Sequence, residues 1–508
     1  MSQADEMLAG PMRLSAVVDA KECPFTATRP ISFSEKPEDR AEFTTEAKAG
    51  DISVRIDWWM EYDGFIWADM TLSAPAGTAL DALTLQIPLR GEIARMVHAT
   101  TNQRRGGINE FITGQKLSYP FLPTAWVGNH DRGLNWCAES DEHWSPELSE
   151  SAIELIPEGD DYVFQANLIQ ERSEIGEPIS IGFGLLGTPV KPLPKGWSSF
   201  TSDKWPPSQS RLNWQELGNK PDCGIIWTNK YGNHLMAPLW TPEIVGELTK
   251  QGREMGVNVI HYTAPGCHSM AYPEPRRYLK EWRIESPEEF YIPDFDETYP
   301  RLCENSSFSD YLLWGINDMV LRHGVRGIYH DGGAPGFCKN TIHGCGWRGE
   351  DRKVRRTRPI RACREYHKRL ATMLYHDHGI TDSIIYDHTS DICFLPALTF
   401  TNVHLDGEQY KGQKRGKVPY TDILSLKEIL PEYVSTQWGV ITVFLNICGT
   451  EGEQARQDTA TFLAYALPFG VPFYGTYLYQ QYNEDINRLY GDFDIDAATF
   501  HLPWHAAE

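Results

Sequence analysis

The chain has 508 residues, with 47 Lys and Arg against 69 Asp and Glu, a net charge of −22. That length exceeds what one hydrophobic core usually supports and calls for two or three domains. The acidic balance argues against nucleic acid or an anionic membrane surface as the main partner, and a neutral or weakly charged ligand fits it better. Hydrophobic residues make up 41% and charged residues 23%, ordinary for a soluble globular protein. Aromatic residues reach 12%. Rings in that number build the core of a β-rich protein, or line a cleft that stacks on sugar faces.

The N-terminus, MSQADEMLAGPMRLSAVV, lacks a basic start followed by an apolar stretch, so no secretory leader is read there. A cytoplasmic location is the default expectation, although a chain whose leader had been removed would read the same way. No long apolar segment predicts a membrane span. The first 195 residues alternate as short strands. Candidates are Asp51–Asp57, a hairpin turn at Tyr62-Asp63-Gly64, Phe65–Leu72 and Leu83–Leu89. Ser151–Ile156 and Tyr162–Ile169 form a second hairpin, and Ile179–Leu186 runs into a Pro-rich exit. Such a series predicts an antiparallel β-sandwich. Pro189, Pro192, Pro194, Pro206 and Pro207 mark a linker, so the domains are expected at 1–195 and 196–508.

Beyond the linker, strands alternate with helices. Strands are expected at Cys223–Thr228, Val257–Thr263, Gly327–Asp331, Ser383–Asp387, Thr401–Glu408, Val440–Asn446 and Val471–Thr476. Helices are expected from Thr241 to Met255, from Ser309 to His323, from Pro359 to His378, from Ser425 to Trp438 and from Gln454 to Leu467. Alternation of this kind predicts a TIM-like (β/α) barrel rather than an open sheet. The eighth strand is not evident. Closure near Pro503-Trp504-His505 or an incomplete barrel are the two readings.

In such a barrel, chemistry sits where the strands end. Asp331 finishes one strand and enters a Gly-rich loop, and Asp387-His388 finishes another. Asp406 and Glu408 lie two residues apart, on one side of an extended chain. His261 and Tyr262 close a further strand. Several carboxylates with few strong nucleophiles point to glycoside chemistry, which needs a proton for the leaving oxygen and negative charge beside the oxocarbenium-like centre. Glu408 is the expected acid/base, and Asp331 the nucleophile or the base that activates water. Asp387, Asp406, His330, His388, His261, Tyr262 and Tyr410 are expected to hold substrate hydroxyls or tune these groups. Trp347, in the long loop after Asp331, is the candidate sugar platform, with a packing role as the alternative. The basic run Arg352–Arg356 is read as a solvated face before an anion site. No Gly-x-Ser-x-Gly elbow, phosphate-binding Gly-Lys-Ser/Thr loop or His-Glu-x-x-His helix occurs.

Ten scattered Cys do not form a disulfide framework. Cys338 and Cys345 stand close together in a Gly-rich loop and either pair, ligate a metal or remain free. Neither a metal nor a cofactor is assigned from the sequence. Two other classes stay open. One is a barrel that binds glycans without cleaving them. The other is a metal-dependent lyase or isomerase, using His261, His330 and His388 with the carboxylates. The expected partner is a carbohydrate, and a homo-oligomer is compatible with the chain.

Three segments carry a family resemblance. They are Trp126–Asp141, Gly184–Pro194, and Tyr329-His330-Asp331-Gly332-Gly333 with Cys338-Lys-Asn340 and His343-Gly-Cys345-Gly-Trp347. On these the chain resembles bacterial proteins related to glycoside hydrolase family 123. The resemblance implies an N-terminal β-sandwich, a catalytic barrel and removal of N-acetylgalactosamine by substrate assistance through an adjacent Asp-Glu pair. This chain departs from the pair: Gly332, not Glu, follows Asp331. Asp331 and Glu408 are therefore expected to share the work.

Overall fold

The computed structural model describes residues 6–33, 40–102, 106–146, 149–205, 221–226, 242–284, 289–292, 297–349, 351–389, 391–415, 417–493 and 499–503. The chain divides into a unit of residues 1–190 with 349–353, and a unit of residues 191–348 with 354–508.

Among the described residues, the first unit holds antiparallel sheets of six and ten strands and a small two-stranded one. Period-2 alternation builds them. Leu83, Leu85, Ile87 and Leu89 are buried along Ala82–Leu89, and Met70 and Leu72 along Ile66–Ser73. These side chains fill one core with residues of both larger sheets. Within it, Trp136 of one sheet lies 5.5 Å from Phe164 of the other. The arrangement is a sandwich. At the turn before Ile66, Gly64 takes the left-handed backbone at φ +84° and its N–H bonds the Glu61 carbonyl.

The second unit is a closed barrel of eight parallel strands. In chain order they are Thr201–Trp205, Cys223–Ile226, Asn258–Thr263, Gly327–Asp331, Ile384–His388, Val403–Asp406, Ile441–Phe444 and Phe473–Tyr474. The strand missing from the sequence reading is therefore the first of the eight, Thr201–Trp205. It pairs with both Cys223–Ile226 and Phe473–Tyr474 and closes the barrel from the N-terminal side. It was hidden because prolines flank it on both sides, so the segment reads as linker. The expected strand residues 227 and 228, the cap at Thr241 and the chain end from 504 lie outside the described residues.

The helices follow their boundary signals. Phe308–His323 stops at Gly324, which adopts φ +65° and donates to the Val320 carbonyl. Ile360–Ala371 continues as a wider turn over Thr372–Asp377. The helix expected from Ser425 to Trp438 is two pieces, Leu426–Tyr433, capped by the Ser425 hydroxyl, and Ser435–Trp438. Strand alternation then sorts the barrel side chains. Ile225, Ile260, Tyr262, Tyr329, Tyr386, Val403, Leu405 and Val443 share the interior cluster. Ile328 and Ile385 face the surrounding helices. This parity decides which strand-end residues reach the mouth.

Candidate active site

Asp331 shares the inward parity of Tyr329, and His388 that of Tyr386. The Tyr262 hydroxyl donates to Asp331 Oδ2. His388 Nδ1 lies 3.2 Å from Asp331 Oδ1 and 3.0 Å from the Tyr329 hydroxyl. Its Nε2 stands 3.8 Å from Glu408 Oε2. Glu408 Oε1 accepts from Lys411 Nζ at 2.6 Å. Two carboxylates thus flank one buried imidazole at the C-terminal mouth of the barrel. The side chain of Asp331 is 36% exposed and that of Glu408 20%, so both are open to a ligand.

Charge is set by neighbours. Burial raises the Glu408 carboxyl, but Lys411 and His388 outweigh it and hold it below its ordinary value. Burial and the adjacent Asp331 push the Tyr262 phenol well up, so it stays a donor. The turn after Asp331 needs its two glycines. Gly332 sits at φ +88°, and a Cβ on Gly333 would stand 2.8 Å from Asp387 Oδ1. Both amides donate to the His388 carbonyl, at 2.9 and 3.0 Å.

The other sequence candidates make contacts of their own. His330 and Asp387 have outward parity. Asp387 Oδ1 faces His330 Nδ1 at 2.7 Å, and its Oδ2 accepts from Thr401 at 2.6 Å and faces His367 Nε2 at 3.0 Å. His330 Nε2 meets the Tyr366 hydroxyl at 2.9 Å. Burial raises the Asp387 carboxyl, but His367 and His330 overcome it and hold it far below the usual range. His367 Nδ1 faces the Cys363 carbonyl at 2.8 Å; burial lowers the imidazole, but the adjacent Asp387 outweighs it and raises it above its ordinary value. Burial lowers His330, which stays neutral. This triad fixes the strand that presents Asp331 against the helix Ile360–Ala371.

Asp406 is 1% exposed and its oxygens are taken by Thr389 and by the amides of Asp391 and Gly407. The strand ends at Asp406, and Gly407 turns at φ +121°, so Glu408 leaves the strand plane and does not share a side with Asp406. His261 faces outward to Thr249 at 3.1 Å. His261, His330 and His388 therefore do not converge on one ion. Trp347 is buried in a short hairpin with Arg355, and Tyr410 stacks on Phe444 at 5.8 Å. In the basic run Arg352–Arg356, Arg356 stands over the Phe337 ring at 4.3 Å. Lys411, His367, Tyr366 and Thr401 were not singled out from the sequence. Only Lys411 carried a usable signal, one helical turn beyond Glu408.

Residues 1–150 match the family model described as Glycoside hydrolase 123, third domain. The match lies within the sandwich unit and agrees there with the resemblance read from the sequence. In three dimensions the chain is similar to an α-galactosidase from Lactobacillus brevis, at 8% identity and a TM-score of 0.47, over 95% of this chain and 72% of that one. It is similar to a GH36 α-galactosidase from Geobacillus stearothermophilus, at 9% and 0.47, over 95% and 75%. It is also similar to an α-N-acetylgalactosaminidase from Bifidobacterium bifidum, at 12% and 0.41, over 92% and 83%. No curated protein matches the chain in sequence. No helix among the described residues is long and apolar enough to cross a membrane.

Proposed function

We propose that the protein hydrolyses O-glycosidic bonds in a carbohydrate, with Asp331 and Glu408 as the two catalytic carboxylates. The observation that carries this reading is their placement on either side of His388 at the barrel mouth. Asp331, with both oxygens held by Tyr262 and His388, suits the fixed negative charge that attacks or stabilises the anomeric carbon. Glu408 suits the proton donor to the leaving oxygen and, in the second half of the reaction, the base toward water. In the free protein Lys411 keeps Glu408 ionised. Lys411 is 42% exposed on its side chain, so a bound sugar can turn it away and let the carboxyl take up a proton.

The test is release of sugar from a panel of aryl glycosides and polysaccharides by the purified protein and its variants. Asp331→Asn and Glu408→Gln should each lower kcat by roughly 10²–10⁴-fold with the thermal unfolding curve unchanged. Azide should restore turnover to an Asp331→Ala variant as a glycosyl azide if Asp331 is the nucleophile. Glycan binding with no new reducing ends from the unmodified chain would contradict the reading.

A further inference from the structure

A second cluster stands in the same unit, built from side chains that the carboxylate site does not use. Cys303 precedes the helix Phe308–His323, while Cys338, His343 and Cys345 come from the loop after Asp331. One donor atom from each of the four lies within 4.8 Å of every other. Cys303 Sγ is 3.8 Å from Cys345 Sγ, and Cys338 Sγ is 3.2 Å from His343 Nε2. A tetrahedron with zinc–sulfur bonds of about 2.3 Å has edges near 3.8 Å, so this spacing is that of ligands around one ion. A disulfide needs about 2.05 Å, and the three cysteines are all free.

The surroundings are those of a ligand set. His343 Nδ1 donates to the Glu281 carbonyl at 2.5 Å, which fixes the tautomer and leaves Nε2 free to ligate. The Asn340 amide points at Cys338 Sγ at 3.4 Å, and the Asn305 side-chain amide at Cys345 Sγ at 3.7 Å. Such N–H groups stabilise thiolates. Asn340 is itself buried and holds the carbonyls of Lys280 and Arg283. Cys303, Cys338 and Cys345 are at most 2% exposed and pack around Ile284.

We infer that Cys303, Cys338, His343 and Cys345 bind one zinc ion as a closed structural site. Three thiolates and an imidazole complete a four-coordinate shell and leave no position for water, which separates it from a catalytic metal. The ion ties the loop that follows Asp331 to the segment before Phe308 and, through His343, to the end of the helix Pro273–Trp282. The inference does not depend on the glycosidase reading.

The experiment is metal analysis of the full chain purified without chelator, followed by exchange with cobalt. About one zinc per chain is expected, and Co²⁺ should give the intense visible bands and near-ultraviolet thiolate charge transfer of a tetrahedral site. Cys345→Ala should lose most of the bound metal and the charge-transfer band. His343→Cys should keep the metal with a shifted spectrum, and Cys448→Ser, at a buried thiol elsewhere, should leave both unchanged. Chelation should lower Tm of the unmodified chain. A reduced, folded wild-type chain with no metal and no cobalt–thiolate band would overturn the site. A Cys303–Cys345 disulfide, found by mass spectrometry of unreduced peptides, would overturn it equally.

Discussion

Glu408 combines two conflicting demands at one carboxyl. Proton donation asks for a raised affinity, yet Lys411 and His388 depress it in the free protein. Removing the cation therefore has a signed consequence. In Lys411→Met the Glu408 carboxyl titrates at higher pH. An acid loses activity as pH rises through its pKa, so the alkaline limb of kcat/KM should move upward. If Glu408 were instead the base, the acidic limb would move upward, and the two profiles tell the roles apart. Asp387 is a second case. Its carboxyl is depressed in the folded state by His367 and His330, so its stabilisation is present above the unfolded value of about 3.9. That stabilisation disappears only as pH falls through the lower folded value. Asp387→Asn leaves His367 buried without its counter-charge and should cost roughly 3–5 kcal/mol at neutral pH, read by urea denaturation. The gap between variant and parent should narrow in strong acid. A loss under about 1 kcal/mol would mean that the triad is not an ion pair.

Elements explain why some motif residues that read as functional are packing devices. In the stretch Trp126–Asp141, the Trp126 indole donates to Thr188 at 2.9 Å, and Gly128 and Gly133 lie against its ring. A Cβ on Gly128 would stand 2.1 Å from Trp126 and 2.6 Å from the Arg132 carbonyl. Gly128→Ala should destabilise the sandwich unit by about 1–3 kcal/mol, seen as a lower Tm with the cobalt spectrum of the other unit unchanged. An unaltered Tm would show that the ring can move aside. Lys191, in the exit segment, donates to the carbonyls of Thr399 and Thr401, and burial lowers its ammonium to about 8. Strand parity was legible in the sequence, because alternation about Tyr329 and Tyr386 places Asp331 and His388 inward. The turn at Gly407 was not. Simple alternation put Glu408 beside Asp406, whereas a positive φ separated them.

At the scale of the whole molecule, the charge of −22 is a long-range field. It repels anionic ligands over a distance of about 10 Å at 0.1 M salt. Turnover of a neutral glycoside should therefore be insensitive to ionic strength, while kcat/KM for an acidic analogue should rise as salt is added. A fall with salt would indicate a local cationic site stronger than the net field. Two architectures along one chain were readable, because the hydrophobic period changes near the prolines and period reports backbone type directly. The missing strand, Thr201–Trp205, was not, since its pairing partners lie at Cys223 and Phe473 and a two-sided closure leaves no local pattern.

The sequence by itself determined the sandwich, the strand–helix alternation and the short set of strand-end carboxylates, all of which follow from local periodicity and turn chemistry. Only the tertiary structure decided which of those carboxylates meet. Asp331 and Glu408 come together through His388, which belongs to a third strand. Asp387 and Asp406, equally promising in the chain, have their oxygens occupied by buried neighbours. The same holds for the cysteines. Cys338 and Cys345 are neighbours in sequence, but the four-fold set appears only when folding brings Cys303 to them from a distant segment. The physical reason is common to both: periodicity is a property of consecutive residues, whereas a site is a convergence of residues that are not.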